Sequence, residues 1–419
     1  MRPPPHGATT ERFALTSALR ERSYLRLLAS RAIGAAVLWI DFTLIFESLA
    51  FQWTVDTVVI GLAMMLYGVP GVLAGPWVGA VVDRHCPWSM LRWSYVLRAT
   101  AALALWLAPT LPIFLVCIAL KGLANLLPGP AEQLLFRRLL NNEALVANTS
   151  RVALIDQGAK LFAPLFAAMC VACRLPGFAI SASLSMTGVI LLSRRPSVNY
   201  ESASGAGGLN GSNGSRPVWA VFCAVLRNHP RLRRVFVVTL CQAFVLGFYD
   251  ALLALFLKAR GYSDGTFGNI VGCTAAGAIL GSLVFKTAVQ HLSPRTLLAT
   301  SSILFGATVL TPAVMVYADV VIPPSTMLSL WVVNGFAYGV GSMLVMLTFQ
   351  QHCPREVLGT VTSTARSTQI LLMIVAPLLG GALSNITSLE FVFFCAGATA
   401  VGLGIFAAAV PVSQDKPHR

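Results

Sequence analysis

The sequence predicts an all-α integral membrane protein, with twelve transmembrane helices in two pseudo-symmetric six-helix bundles. Three observations lead there. Of 419 residues, 56% are hydrophobic and 11% charged, against about 25% charged in an ordinary soluble domain. The apolar residues gather into twelve runs, each close to the ~20 residues that carry a helix across hydrocarbon. A Gly/Ser-rich stretch, ESASGAGGLNGSNGS, separates six runs from six.

The runs fall near residues 31–53, 57–82, 93–111, 113–135, 150–173 and 176–193 in the first half. In the second they fall near 234–257, 266–287, 296–317, 325–349, 366–385 and 389–411. Lipid offers a backbone no hydrogen bonds, so each run satisfies its own as a helix. The period-two alternation of an outer-membrane barrel strand is absent. The chain therefore divides into a cytoplasmic tail (1–30), a six-helix bundle (31–193), a cytoplasmic linker (194–233), a second bundle (234–411) and a short tail (412–419). The Gly/Ser stretch reads as flexible. After it, Trp219, Phe222, Val225 and Leu226 recur at helical spacing. They predict a short amphipathic helix on the cytoplasmic face, its neighbouring arginines near lipid headgroups. Pro230 and the charges around it separate this helix from the seventh span.

Charge placement orients the chain. A formal net charge of +14 raises the question of a nucleic-acid partner. With the N-terminus inside, however, 24 of the 30 Lys and Arg fall on cytoplasmic segments. Arg98, Lys121 and Lys160 lie within spans, and only Arg174, Lys258 and Arg260 fall outside. This positive-inside bias places both termini in the cytoplasm. No basic stripe with interleaved aromatics remains for DNA or RNA. The first 25 residues hold no apolar h-region, so no cleavable signal peptide is expected. Cys170-Val-Ala-Cys173 has no second pair or histidine at zinc spacing and reads as small-residue packing, as do His85-Cys86 and His352-Cys353. Asn148, Asn210 and Asn213 open glycosylation triplets on the cytoplasmic side; neither they nor Asn385 are read as glycan sites. No cofactor or metal is expected. No HExxH, GxSxG or P-loop points to an enzyme or to ATP drive.

The two halves repeat. Asp41 in the first span and Asp250 in the seventh are 209 residues apart. Pro87, just past the second span, has its counterpart in Pro294 past the eighth, 207 later. Glu143-Ala-Leu precedes span five and Glu356-Val-Leu precedes span eleven, 213 later, with Pro164 and Pro377 at the same offset inside those spans. Four markers in order indicate parallel six-helix repeats, a transporter plan.

Ionisable groups in spans cost at least ~2.5 kcal/mol, so each is a functional candidate. They are Asp41, Glu47, Arg98, Lys121, Glu132, Asp156, Lys160 and Asp250. Asp41 lies ten residues beyond Arg31, about 15 Å of helix rise and so near mid-membrane. Glu47 is six positions further, roughly 240° around the helix, and cannot face the same way. Asp156 and Lys160 are one turn apart and predict a structural ion pair. Arg98 is expected to snorkel to the inner face. Trp39, Phe42, Phe248 and Tyr249 flank the two aspartates and could stack on a flat substrate.

The stretch Gly79-Ala-Val-Val-Asp83-Arg84-His85-Cys86-Pro87-Trp88 follows 26 residues, Thr57 to Val82, without a charge. On it the chain resembles the major facilitator superfamily, and the resemblance covers essentially its whole length. Gly79, Asp83 and Arg84 match that family's Gly-x-x-x-Asp-Arg/Lys-x-Gly-Arg-Arg motif, with Cys86 and Pro87 where Gly-Arg is expected. PGPAEQLLFRRLLNNEALVANTSR (Pro128 to Arg151) and NHPRLRR resemble the branch of enterobactin-type siderophore exporters and macrolide efflux pumps. The antiporters' Gly-x-x-x-Gly-Pro-x-x-Gly-Gly is softened to Ala159, Ala163, Pro164, Ala167 and Ala168 in span five. Span eleven, with Ala376, Pro377, Gly380 and Gly381, lies closer to it. Such residues allow tight helix contact and bending, and plain packing asks for them too.

The resemblance implies the major facilitator fold and a cytoplasmic gate held by Asp83. Arg366 is the expected partner of Asp83, and Glu132 is expected to pair with Arg84 or Arg137. It also puts spans one, four, seven and ten around a central cavity, which makes Asp41, Asp250, Glu47 and Lys121 the proton-coupling or substrate residues. Asp41 is first choice for the proton, and Lys121 is a counter-ion for either aspartate or a holder of anionic substrate. The implied function is proton-coupled efflux, by antiport, of a drug or siderophore from a monomer in a bacterial inner membrane. Its partners are the small molecule, protons and the bilayer. Lysophospholipid or other solute transport on the same scaffold is the alternative. A non-transporting receptor or scaffold is the other, and the intramembrane acids argue against it.

Overall fold

The computed structural model describes residues 7–53, 57–193, 217–250, 252–262 and 266–409. The first half holds α1 (Gly7–Glu47), α2 (Thr57–Arg84), α3 (Pro87–Leu107), α4 (Leu111–Ala124), α5 (Pro128–Leu139), α6 (Asn142–Ala172) and α7 (Gly177–Leu191). A short helix, α8 (Val218–Asn228), leads to the second half. There follow α9 (Pro230–Asp250), α10 (Leu253–Ala259), α11 (Thr266–His291), α12 (Pro294–Tyr317), α13 (Pro324–His352), α14 (Leu358–Ile386) and α15 (Leu389–Ala409). No strand occurs among the described residues.

Among the described residues, ten stretches are long and apolar enough to cross a membrane. α3 and α7 complete the twelve expected crossings. Arg92 and Arg98 dilute the apolar character of α3, and α7 has only 15 residues. The multi-pass, all-α reading of the sequence is borne out.

Several boundaries differ from the expected ones, each for a local reason. α1 starts at Gly7 rather than near residue 31: no proline interrupts residues 8–47, and the early turns are rich in Ala, Leu, Glu and Arg, all good helix formers. The fourth crossing is broken into α4 and α5 at Asn125–Leu127, because Pro128 and Pro130 withhold the N–H groups a continuous helix needs. At the end of α1 the backbone loosens into a π turn, Ser48–Gln52. In the seventh crossing α9 ends at Asp250 and α10 begins at Leu253.

The internal repeat is visible in the packing. α1 packs on α6 and α7, α2 on α4, and α3 on α4 and α7. In the second half α9 packs on α14 and α15, α11 on α13, and α12 on α13 and α15. These are the same five pairings, shifted by one half. The repeated prolines fall at equivalent places too: Pro87 opens α3 behind Cys86, and Pro294 opens α12 behind Ser293. The first helical turn has no use for an N–H there, so proline costs nothing and sets φ correctly.

Between the halves α2 lies against α14, and by the same symmetry α6 lies against α11. α8 braces the first of these contacts by touching α2, α14 and α9. Its apolar face is turned inward: Phe222 and Leu226 are buried, and Phe222 meets Phe236 of α9 edge-on at 5.0 Å.

Candidate functional site

Twelve crossings return the chain to the side on which it began. The end of α2 and the start of α14 therefore both lie at the end that carries the termini, and there the halves are sealed. Residues 358–367 of α14 are buried except Thr362 and Arg366; from Leu371 onward only Ala376 and Gly380 are buried. The halves thus meet along one end and part above it.

Backbone proximity makes the seal. A side chain at Gly79 would collide with Ser363 Oγ and the Gly359 carbonyl, and one at Gly75 with Ser367 Oγ. The Ser367 hydroxyl donates to the Gly71 carbonyl at 2.6 Å. So Gly71, Gly75 and Gly79, one turn apart, form the groove in which α14 rests. Asp83 finishes it. Its carboxylate accepts from Gly359 N–H (2.8 Å), Thr360 N–H (2.7 Å) and Thr360 Oγ1 (2.7 Å). These are free donors at the N-terminus of α14, where the helix dipole also favours an anion.

The partner expected for Asp83 was Arg366, and that pairing does not form. Arg366 lies two turns further along α14 and is exposed; backbone amides nearer to Asp83 satisfy its carboxylate first. Arg84 is exposed too. A second cap crosses between the halves: Arg137 of α5 donates to the carbonyl of Cys353 and, at 3.4 Å, to that of Gln351, at the C-terminus of α13. An acid of the first half thus caps a helix start of the second, and a base caps a helix end.

Glu132 pairs with neither Arg84 nor Arg137. Arg31 of α1 takes it at 2.8 Å and holds Asp156 of α6 through two bonds, 2.6 and 3.0 Å. The same contacts overturn the expected Asp156–Lys160 pair, since a guanidinium fork matches a carboxylate better than a flexible ammonium does. Arg98 does not snorkel. It is buried, donates to the Gly34 carbonyl at 3.2 Å and lies over Tyr95.

Deeper in the first half Asp41 of α1 and Lys121 of α4 form an ion pair, and both side chains are 0% exposed. Lys121 also donates to the Arg98 carbonyl at 3.0 Å. Asp41 Oδ1 has no hydrogen-bond partner. An aromatic wall adjoins the pair: Phe42 lies 5.7 Å from Trp39, 4.8 Å from Phe46 and 5.7 Å from Tyr67.

Asp250 has a different setting from Asp41 despite the repeat. It ends α9 and is exposed. The cation acting on it is Lys160, from the opposite half, which itself lies 5.6 Å from the Trp39 ring centroid. Tyr338 of α13 stands within the fields of both Asp250 and Arg366. Glu47 is turned away from Asp41 and lines a cavity of about 370 Å³ at the far end of the first half, with Gln52, Trp53, Trp106 and Arg174.

Among the packing residues, Ala163 is buried and Pro164 half-buried in α6. Pro377 is half-buried inside α14. A side chain at Gly380 would strike the Phe248 carbonyl of α9, whereas a Cβ added at Gly381 would meet nothing within 4 Å. No cluster of three His, Cys, Asp or Glu suited to a metal exists among the described residues.

Sequence reasoning missed Arg31 and Thr360, and gave Arg137 a different partner. Arg31 stood at the edge of the first span and was counted as a boundary charge. Gly359 and, in one of its two bonds, Thr360 act through the backbone, which no motif of side chains records.

The family model described as Major Facilitator Superfamily matches residues 27–268 and 235–419. No curated protein matches the sequence significantly. Among solved structures, a bacterial homologue of the iron transporter ferroportin in its outward-facing state is 16% identical, with a TM-score of 0.73 over 92% of this chain and 99% of that one. FucP in the outward conformation is 13% identical, with a TM-score of 0.71 over 93% and 99%. The human organic anion transporter MFSD10 (TETRAN) is 15% identical, with a TM-score of 0.67 over 91% and 99%. At these identities the likeness is one of fold.

Proposed function

Because the chain belongs to the major facilitator superfamily and is a membrane transporter rather than an enzyme, we propose that it is a proton-coupled exporter of an amphiphilic small molecule. It acts by alternating access in a bacterial inner membrane, with both termini in the cytoplasm. A drug or a siderophore is the cargo, in keeping with the exporter-like run at Pro128 to Arg151. The observation that carries the reading is the sealed pair Asp41–Lys121. A carboxylate and an ammonium without water tolerate each other only while both are charged or both neutral. Protonating Asp41 strands the Lys121 charge, which costs about 3–5 kcal/mol for a buried pair that loses one partner. Rearrangement of α1 against α4 relieves that cost, so proton binding and helix position become one equilibrium.

The second element is the seal. Its bonds run from charged side chains to helix termini, groups that water satisfies equally well when the halves part. The contact can open and re-form without stranding a buried charge. Asp41, Lys121 and Asp250 are the coupling groups of this proposal, and Gly79, Asp83 and Arg137 hold the gate.

The test uses everted membrane vesicles and three probes of one shape: 2-naphthoate, 2-naphthylmethanol and 2-naphthylmethylammonium. Gradient-driven uptake into the vesicles of at least one probe is expected, lost in Asp41→Asn and kept in Glu47→Gln. Unchanged gradient-driven uptake in Asp41→Asn would remove the coupling assignment.

A further inference from the structure

Glu47 takes no part in the Asp41–Lys121 pair or in the seal. It lies sixteen residues beyond Arg31, about 24 Å of helix rise, which brings it to the far edge of a hydrocarbon core ~30 Å thick. There it lines the cavity of about 370 Å³, a size within the range of ligand pockets. The walls come from the end of α1, the turn between α3 and α4, and the turn between α6 and α7. One acid and one base line it, Glu47 and Arg174. Neither side chain makes a hydrogen bond or ion pair among the described residues.

The cavity has a polar order. Its depth is aromatic: Phe114 lies 5.9 Å from Trp53 and 6.3 Å from Phe178, and both phenylalanines are buried. Beside them Ser48 is buried and Glu47 half-buried. Gln52, Trp106 and Arg174 are exposed at the mouth, and the apolar Val171 and Leu175 are exposed at its rim. From inside to outside the order is acid, base, apolar surface. Two backbone departures hold these groups in place. α1 widens into the π turn Ser48–Gln52, a form that recurs at functional sites. Arg174 sits at φ 55°, a left-handed conformation that non-glycine residues seldom adopt.

An ammonium that enters first meets the Glu47 carboxylate, with the Ser48 hydroxyl and the Gln52 amide oxygen as further acceptors and indole faces that favour a cation. A phosphate that follows stays at the mouth, where the Arg174 guanidinium suits it. Acyl chains beyond the phosphate lie along Val171 and Leu175. Tryptophans such as Trp53 and Trp106 belong at headgroup depth. We propose that this cavity is a headgroup site for an ethanolamine phospholipid of the leaflet opposite the termini. That lipid carries ammonium, phosphate and acyl chains in the order the cavity asks for. An anionic headgroup without an ammonium leaves Glu47 unpaired, and a free zwitterion leaves the rim uncovered. The site is separate from Asp41, from which Glu47 is turned away, and it does not rest on the exporter reading.

The test is native mass spectrometry of the purified full chain, titrated with phosphatidylethanolamine, phosphatidylcholine and phosphatidylglycerol of identical acyl chains, and with soluble phosphoethanolamine in competition. One phosphatidylethanolamine is expected to bind about fivefold tighter than phosphatidylglycerol, the worth of one partly solvated ion pair. Glu47→Gln should remove that preference and Glu47→Asp keep it, because the ammonium is what Glu47 reads. Arg174→Gln should weaken both lipids about fivefold and leave their ratio unchanged, while Arg174→Lys keeps most of the affinity. Neither side chain bonds to the rest of the chain, so the variants fold. Phosphatidylcholine, which has no N–H to donate, should bind more weakly than phosphatidylethanolamine. A phosphatidylethanolamine preference that survives Glu47→Gln overturns the site. Phosphatidylcholine binding as tightly as phosphatidylethanolamine overturns the ethanolamine assignment. Soluble phosphoethanolamine competing at equal concentration makes the occupant a free solute and overturns the lipid assignment.

Discussion

Replacing Asp83 by alanine removes three hydrogen bonds that exist only while the terminal-side seal is closed. The size of the effect follows from what those bonds join. A carboxylate capping a helix start is worth about 0.5–2 kcal/mol, and the attraction of its charge to the dipole adds about 0.3–1 kcal/mol. Asp83 is half-buried, so water does not fully replace the lost partner, and about 2–3 kcal/mol is a fair total. That shifts the balance between sealed and unsealed forms roughly 30- to 150-fold toward the unsealed one. Position 84 on the first half and position 355 on the second are exposed beside the seal. Spin labels attached there through non-natural amino acids avoid the nine cysteines. Double electron–electron resonance should show a short distance in the wild type and a longer one gaining weight in Asp83→Ala. Thr360→Val removes one bond and should shift the same ratio about fivefold, the worth of ~1 kcal/mol. If Asp83→Ala leaves the distance distribution within about threefold of the wild-type ratio, Asp83 does not hold the seal and the capping argument is wrong.

Other outcomes follow from the same contacts. Asp41→Asn and Lys121→Met should each lower thermal stability by about 3–5 kcal/mol, while the double variant recovers most of it and still lacks gradient-driven flux, measured by melting curves alongside vesicle transport. Gly380→Ala should destabilise by about 1–3 kcal/mol through its clash with the Phe248 carbonyl, while Gly381→Ala is neutral or stabilising by up to ~1 kcal/mol; equal melting temperatures would contradict the packing described. Arg31→Met leaves the buried Glu132 without its ion-pair partner and should cost about 3 kcal/mol or more, whereas Arg84→Met, at an exposed position, should stay within ~0.5 kcal/mol.

Hydropathy alone made the crossings legible, because a lipid-spanning helix leaves a run in the sequence that nothing else explains. Asp83 was legible as well: an acid at a boundary that positive-inside placement does not require asks for a reason. Its partner was not, since two of the three donors are backbone N–H groups 276 and 277 residues away, which any residue type could provide, and the third is a lone threonine hydroxyl. The Asp156–Lys160 spacing misled for a related reason. A one-turn separation favours a pair only by a few tenths of a kcal/mol, and the Arg31 fork, 125 residues away, is geometrically better. The break after Ala124 was written in Pro128 and Pro130. The helical continuation back to Gly7 was legible in its helix-favouring residues, which their polar character masks.

The repeat makes its largest point where it fails. Asp41 and Asp250 occupy matching places in two halves that pack alike, and a purely structural role would give them matching surroundings. Instead one is sealed against Lys121, while the other stands exposed toward Lys160 of the opposite half. The interface is asymmetric in the same sense. Asp83 and Arg137 of the first half reach helix ends of the second, whereas the counterpart of Asp83 after span eight is Gln290, which carries no charge to offer. A scaffold repeated in backbone and divided in charge has one half that holds the buried Asp41–Lys121 pair and supplies Asp83 and Arg137 to the seal, and another that offers its helix ends to them. Under the proton-coupled reading proposed above, such a division would let a change at the Asp41–Lys121 pair alter how tightly the first half holds the second, without requiring Asp41 to touch the cargo.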